Sequence, residues 1–244
     1  MTPFEPEIVG AERAASAGFV IACEHASHHI PDEFAGLGLA PEARRAHVAW
    51  DPGAKAVAAG LAERLGAPLV AATVSRLVYD INRPPEAPDA IPETSEVFEI
   101  PGNRGLSAAQ KAARAARIHA PFHAALARLL AAAPEAALVT MHSFTPVWFG
   151  KPRAVELGIL HDADPRLADA VLAAAPHGID ARRNEPYGPE HGVTHTLRLH
   201  AIPEGRPNVM IEIRNDLIAD EAGQRRFADL LAAALRSARL GRAA

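Results

Sequence analysis

The stretch FVIACEHASHHIPDEF, residues 19–34, begins as an apolar run and then places three histidines and three carboxylates within residues 24–33. A short run with β-branched residues, flanked by glycine and polar residues, is typical of a buried strand. We therefore predict a strand over GFVIAC, residues 18–23, that is followed at once by side chains able to bind a metal ion.

Outward from this stretch, predicted strands alternate with predicted helices. This alternation predicts an α/β fold with a mostly parallel sheet and helices on both faces. Further strands are expected over APLVAATVS (67–75), AALVTMHSF (136–144), AVELGILHD (154–162) and NVMIEIRND (208–216), and the alternating THTLRLHA (194–201) is also interpreted as a strand. Helices are expected over 52–66, 107–133, 164–176 and 220–240, and a long proline-rich loop over 76–106.

Composition limits the classes of function. The chain has 244 residues, a net charge of −4 and 49% apolar residues, which predicts one domain over residues 1–244 and no nucleic-acid or membrane partner. The single cysteine, Cys23, excludes an internal disulfide and favours the cytoplasm. No apolar run approaches the roughly 18 residues of a membrane span, and glutamates occupy the N-terminal region where a signal peptide would be basic.

Histidines follow two of the predicted strands, where ligands bind in open α/β sheets. His25 ends one strand and His142 lies near the end of another, so both rings can converge on one metal ion if the strands are neighbours. A tetrahedral zinc site needs a third protein ligand and leaves one position open. Asp51 is the favoured carboxylate, and His47 is the alternative or a partner that orients Asp51; Asp51 could also be only a helix N-cap.

Glu212 is a carboxylate in an otherwise apolar predicted strand. Burying an unpaired carboxylate costs several kcal/mol, and burial raises its pKa, as a general base requires. The alternative is an ion pair with Arg214 or Arg83.

Arginine and histidine side chains complete the candidate site. Arg76 and Arg83 lie at the entrance to the long loop, where a guanidinium could bind a substrate carboxylate or pair with Asp80. His195 and His200 could stabilise an oxyanion or be structural, and we favour His200 because it ends its segment.

Six motifs occur in one order along the chain: CEHASHHIP, HVAWDPGA, SRLVYDINRPP, MHSFTP, NEPY and VMIEIRNDL. With them the chain resembles the N-formylglutamate amidohydrolase family over roughly residues 19–217. The resemblance implies a three-layer α/β/α domain of the zinc-carboxypeptidase-like kind. It places the family's metal-site histidines and aspartate at His25, His142 and Asp51, its late glutamate at Glu212, and its Asn–Arg pair at Asn82 and Arg83.

The resemblance also implies a reaction, which is hydrolysis of an N-formyl or N-acyl amino acid, with N-formyl-L-glutamate as the expected substrate type. We expect one Zn²⁺ per chain, Glu212 and His200 as catalytic groups, and Arg83, Asn82 and Arg76 as substrate-binding groups. An amidase for other N-acyl amino acids or peptides, and a non-catalytic protein that binds a metal or an amino acid, are the alternatives. The residues do not predict the oligomeric state.

Overall fold

The computed structural model describes residues 2–240, and its centre is a mixed β-sheet of seven strands within that range. The strand order is β1-β3-β2-β4-β7-β5-β6. Only the β1–β3 and β7–β5 pairs are antiparallel; the other neighbours are parallel. The strands are β1 (Glu7–Val9), β2 (Phe19–Cys23), β3 (Leu69–Ala71), β4 (Ala137–Phe144), β5 (Leu157–Leu160), β6 (Ala181–Arg183) and β7 (Asn208–Arg214).

Helices cover both faces of the sheet. The bounds are α1 (Pro41–Arg45), α2 (Ala54–Leu65), α3 (Ala108–Arg114), α4 (Ala120–Ala132), α5 (Arg166–Ala173), α6 (His195–His200) and α7 (Glu221–Leu240). One apolar core joins the sheet to α2, α5 and α7, and a second joins the opposite face to α4 and α6. The predicted three-layer α/β/α architecture with a mixed sheet is therefore confirmed. None of the described helices is both long and apolar enough to cross a membrane.

The central strands form because their side chains are buried on both faces. Alternate residues of β2 enter the two cores: Val20 and Ala22 face α4, while Ile21 and Cys23 face α2. This explains the continuous apolar run of the sequence, since a parallel strand covered on both sides needs no polar face. The edge strands β1 and β6 have only three residues each and were not predicted.

The predicted strand over THTLRLHA is wrong, because residues 195–200 form the helix α6. The alternation does not separate a buried face from an exposed one: Leu197 is 1% exposed, whereas Leu199 is 44% exposed. The segment packs one helical side against the core, and a period of two in so short a run is not decisive.

The predicted helix over 107–133 forms but contains an irregularity. Ser107 caps it, exchanging hydrogen bonds with Gln110 in a capping box. Between α3 and α4 the backbone makes a π-helical segment, Ala115–His119, directly before Pro121 near the start of α4. Because proline has no N–H and clashes with the preceding turn, the wider π turn accommodates it without ending the helix.

Candidate active site

Three predicted ligands meet at the carboxyl ends of β2 and β4. His25 Nδ1 lies 3.3 Å from Asp51 Oδ2, and His142 Nδ1 lies 2.9 Å from the same oxygen. The two Nδ1 atoms are 3.2 Å apart. All three residues are buried, and the fold brings His142 to two side chains that are 91 and 117 positions earlier in the chain.

The turn before α2 fixes Asp51. Its backbone N–H donates to the His25 carbonyl, which ties the two ligands together directly. Gly53 follows with a φ of +80°, and a Cβ there would lie 2.5 Å from the carbonyl oxygen of Ile218. Only glycine fits this turn. The Ser143 hydroxyl donates to the carbonyl of Pro52 and joins the turn to β4.

These distances fit a tetrahedral metal ion. Metal–ligand bonds of about 2.0–2.1 Å place ligand atoms about 3.3 Å apart in a tetrahedron. The three observed separations, 3.3, 2.9 and 3.2 Å, are close to that value. Two imidazole nitrogens and one carboxylate oxygen are also a donor set that suits zinc.

Buried carboxylates lie behind both imidazole rings. Asp80 Oδ1 is 2.7 Å from His25 Nε2, and Glu24 Oε2 is 3.3 Å from His142 Nε2. A hydrogen-bonded carboxylate keeps the proton on the outer nitrogen and leaves Nδ1 free to bind a metal ion, and Asp80 does this for His25. His142 Nε2 and both Glu24 oxygens make no hydrogen bond among the described residues, so Glu24 acts on this ring only through its charge. Both rings direct Nδ1 at Asp51 Oδ2, as binding of one metal ion would require.

The charge of the site also favours a cation. Four buried carboxylates belong to it, and the Arg76 guanidinium contacts two of them, Asp80 at 2.9 Å and Asp51 at 3.4 Å. Although burial opposes it, the two imidazole rings and their hydrogen bonds lower the pKa of Asp51. A divalent ion would compensate the remaining negative charge. The four carboxylates are those of Glu24, Asp51, Asp80 and Glu212.

Glu212 faces the same pocket from β7. The register places it beside His142 on the neighbouring strand, and its Oε2 is buried without a hydrogen-bond partner among the described residues. Burial raises the pKa of this carboxyl to about 7. The alternative ion pair with Arg214 does not form, because that guanidinium contacts Asp216.

The pocket has a volume of about 270 Å³, which suits a small molecule. Arg76 and Arg83 both line it, and their predicted role in substrate binding stays a prediction. The structure also gives each a structural contact: Arg76 pairs with Asp80, while Arg83 donates to Asp89 and to the carbonyl of Gly192.

Asn82 lines the pocket too, and both ends of its amide are engaged. Its Oδ1 accepts from the backbone of Thr196 at 3.0 Å, and its Nδ2 donates to the carbonyl of Val193. These bonds hold the start of α6 and the residue Val193 before it against the loop that carries Asn82. Through them Asn82 positions part of the pocket wall.

Two predicted histidines lie outside the group of ligands. His47 lines the pocket and lies 2.6 Å from the carboxylate of Glu96, and it is not part of the close group of ligand atoms from His25, Asp51 and His142. His200 is not among the described residues that line the pocket; its Nε2 lies 2.9 Å from His123 Nδ1. The predicted oxyanion role of His200 has no contact in the pocket to support it.

The sequence of the chain was compared with models of known protein families and with curated proteins. The sequence model of the N-formylglutamate amidohydrolase family matches residues 17–219. The chain belongs to that family. It is therefore related to enzymes that hydrolyse amide bonds, and the resemblance seen in the six motifs is confirmed. No curated protein matches the chain in sequence.

Two solved structures extend the relationship. A gene product of Agrobacterium tumefaciens shares 48% identity with a TM-score of 0.95, and the match covers 98% of this chain and 96% of that one. The N-formylglutamate amidohydrolase of Ralstonia eutropha JMP134 shares 23% identity with a TM-score of 0.67, over 93% and 95% of the two chains. At that identity the second likeness shows the shared fold.

Sequence reasoning missed Glu24 and the role of Asp80. Glu24 continues the alternation of β2 and faces the same side as Val20 and Ala22, the side on which His142 lies. That signal becomes useful only when β2 and β4 are known to be neighbours. Asp80 was considered only as a partner for arginine, whereas it also contacts His25.

Proposed function

We propose that this chain hydrolyses the amide bond of an N-formyl or N-acyl amino acid, with N-formyl-L-glutamate as the substrate type, and that it uses one Zn²⁺ at this site. The observation that carries the proposal is the near-tetrahedral spacing of His25 Nδ1, His142 Nδ1 and Asp51 Oδ2 beside an unpaired, buried Glu212, in a chain of the N-formylglutamate amidohydrolase family. Composition supports the further proposals that residues 1–244 act as one domain and in the cytoplasm.

His25, Asp51 and His142 would hold the metal ion. When bound, a divalent ion supplies Lewis acidity to a carbonyl oxygen and lowers the pKa of water beside it. The 2.7 Å hydrogen bond from His25 Nε2 to Asp80 keeps Nδ1 of that ring inward, and the buried charge of Glu24 lies 3.3 Å behind His142 Nε2. Because these partners are buried, the ligand atoms are placed before an ion or a substrate arrives.

Glu212 acts as the general base in this proposal. Its carboxylate takes a proton from the attacking water and then delivers it to the nitrogen of the leaving amine, so that the amide bond breaks to give a free amino acid and formate or another small acid. In the metal-free site burial raises the pKa of Glu212 to about 7. A bound cation would lower this pKa and leave the carboxylate ionised, which is the form that accepts a proton from water. Its position opposite His142 on the neighbouring strand supports this role.

Arg83, together with Arg76, binds the substrate carboxylate in this proposal. Both guanidinium groups line the pocket, and a planar guanidinium matches a carboxylate with two parallel hydrogen bonds. Asn82 supports this wall of the pocket through its bonds to residues 193 and 196.

An assay that measures the formate released from N-formyl-L-glutamate tests the function. We expect turnover by the zinc-loaded protein, and Arg83→Ala should raise KM at least tenfold for this substrate while changing KM little for the corresponding diamide. The matched control is Asp89→Ala, which removes the 2.7 Å ion pair of Arg83 but keeps the guanidinium. Binding of N-formyl amino acids without any hydrolysis would contradict the enzymatic function. Equal effects of the two variants on both substrates would instead show that Arg83 only anchors the loop.

A further inference from the structure

Four histidines outside the active-site pocket meet where the π-helical segment and α4 pack against α6. His119 Nε2 lies 3.1 Å from His195 Nε2, and His123 Nδ1 lies 2.9 Å from His200 Nε2. One ring nitrogen from each of His119, His123 and His195 lies within 4.8 Å of the other two. We propose that His119, His123 and His195 hold a divalent transition-metal ion at a second binding site, with His200 beside them; these four residues are called the histidine cluster.

The orientation of His123 supports a ligand role. Its Nε2 lies 3.1 Å from the backbone carbonyl of Ile81, which can only accept a hydrogen bond, so Nε2 carries the proton. The neutral ring then has its lone pair on Nδ1, the atom directed at His200. A carbonyl that fixes the outer nitrogen of a histidine is the arrangement that metal-binding imidazoles have.

The two short nitrogen–nitrogen contacts, one between His119 and His195 and one between His123 and His200, are compatible with metal binding. Two neutral imidazoles can share only one proton in such a contact, so each contact needs one ring to donate. A metal ion would instead accept the lone pairs of both rings. The separations of 3.1 and 2.9 Å are near the distance of about 3.3 Å between ligands of a tetrahedral ion, and imidazole suits zinc, copper and nickel.

Protonation does not oppose binding at neutral pH. Burial, together with the neighbouring rings, lowers the pKa of His119 to about 4, and burial also lowers the pKa of His200 to about 4. The pKa values of His123 and His195 are lowered as well, mainly by burial. All four rings are therefore neutral near pH 7, which is the form that binds metals.

The cluster is reachable and is linked to the active site. His119, His195 and His200 are partly exposed, and His195 borders a surface pocket of about 340 Å³.

The turn at residues 80–82 joins the two sites. Asp80 contacts His25, and the Ile81 carbonyl contacts His123. Asn82 contacts the backbone of Thr196, the neighbour of His195. An ion in the cluster would therefore fix α6 and this turn, which supports the active-site ligands from behind.

Equilibrium dialysis against Zn²⁺, with metal counted by elemental analysis, tests this site. We expect two equivalents per chain in the wild type and one in the double variant His119→Gln/His195→Gln. His142→Ala should also retain one equivalent, because it removes only the first site, and the control His177→Gln, an exposed histidine outside both sites, should keep two. Co²⁺ should give a visible absorption band from the cluster in the His142→Ala background, and this band should be lost when His195→Gln is added.

The stoichiometry distinguishes this inference from the proposed function. If the wild type bound only one zinc ion per chain, and His142→Ala bound none, the second site would be overturned. The proposed function would stand, because the first site would still bind its ion. Two equivalents in His119→Gln/His195→Gln would also overturn the second site. If the double variant does not fold, His195→Gln alone decides by the same count, because this ring is only partly buried.

Discussion

Glu212→Gln should lower kcat by about 10²–10⁴-fold while leaving the metal content unchanged. The substitution preserves the shape of the side chain but removes the base, and general acid–base catalysis typically contributes a factor of this size. Glu212 provides no ligand atom of the group formed by His25, Asp51 and His142. Steady-state kinetics with N-formyl-L-glutamate, together with elemental analysis, measures both quantities.

The stability of the metal-free protein gives a second readout for Glu212. A folded-state pKa of about 7, above the ordinary value of 4.5, means that the stabilising contribution of the neutral carboxyl is present below about pH 4.5 and is lost as the pH rises through 7. Glu212→Gln should lose less stability over that range. Glu221→Gln, an exposed glutamate at the start of α7, is the matched control. Near-wild-type kcat in Glu212→Gln would show that another group is the base.

His142→Ala should reduce activity to background and lower the zinc content by one equivalent per chain. His142 offers its Nδ1 to the ligand group, and it lies between two buried carboxylates, Asp51 and Glu24. Without the ring, only one imidazole and one carboxylate remain, which is too few to hold a catalytic zinc ion tightly. Elemental analysis after dialysis, combined with the hydrolysis assay, measures both losses.

Two variants accompany the His142 experiment. His28→Ala is the control, because this exposed histidine lies in the same loop as His25 and packs beside Trp50. His142→Gln fills the buried position if the alanine variant does not fold. Undiminished zinc content in a folded His142 variant would remove His142 from the ligand set.

Much of the fold was predictable because its central strands are long apolar runs and its helices have clear end signals. Ser107 and Gly66 mark helix ends in both sequence and structure. The region of α6 was not predictable, because a six-residue helix with alternating apolar residues has no distinct period. The edge strands are too short and too polar to stand out from loops.

The candidate metal ligands could be picked out because each follows or precedes an apolar segment at a place where chemistry is common in α/β folds. His25, His142 and Asp51 do converge in the structure. Glu24 and the histidine cluster could not be derived in the same way, since they depend on which strands and helices are neighbours. His123 and His200, for instance, are 77 positions apart in the chain.

A zinc-soaked crystal of the protein, with an anomalous difference map, tests the central claim most directly. The account predicts a peak bonded to His25 Nδ1, His142 Nδ1 and Asp51 Oδ2 at about 2.0–2.2 Å, with Glu212 nearby but not coordinating. A zinc-loaded, active crystal with no anomalous peak between these three atoms would contradict it.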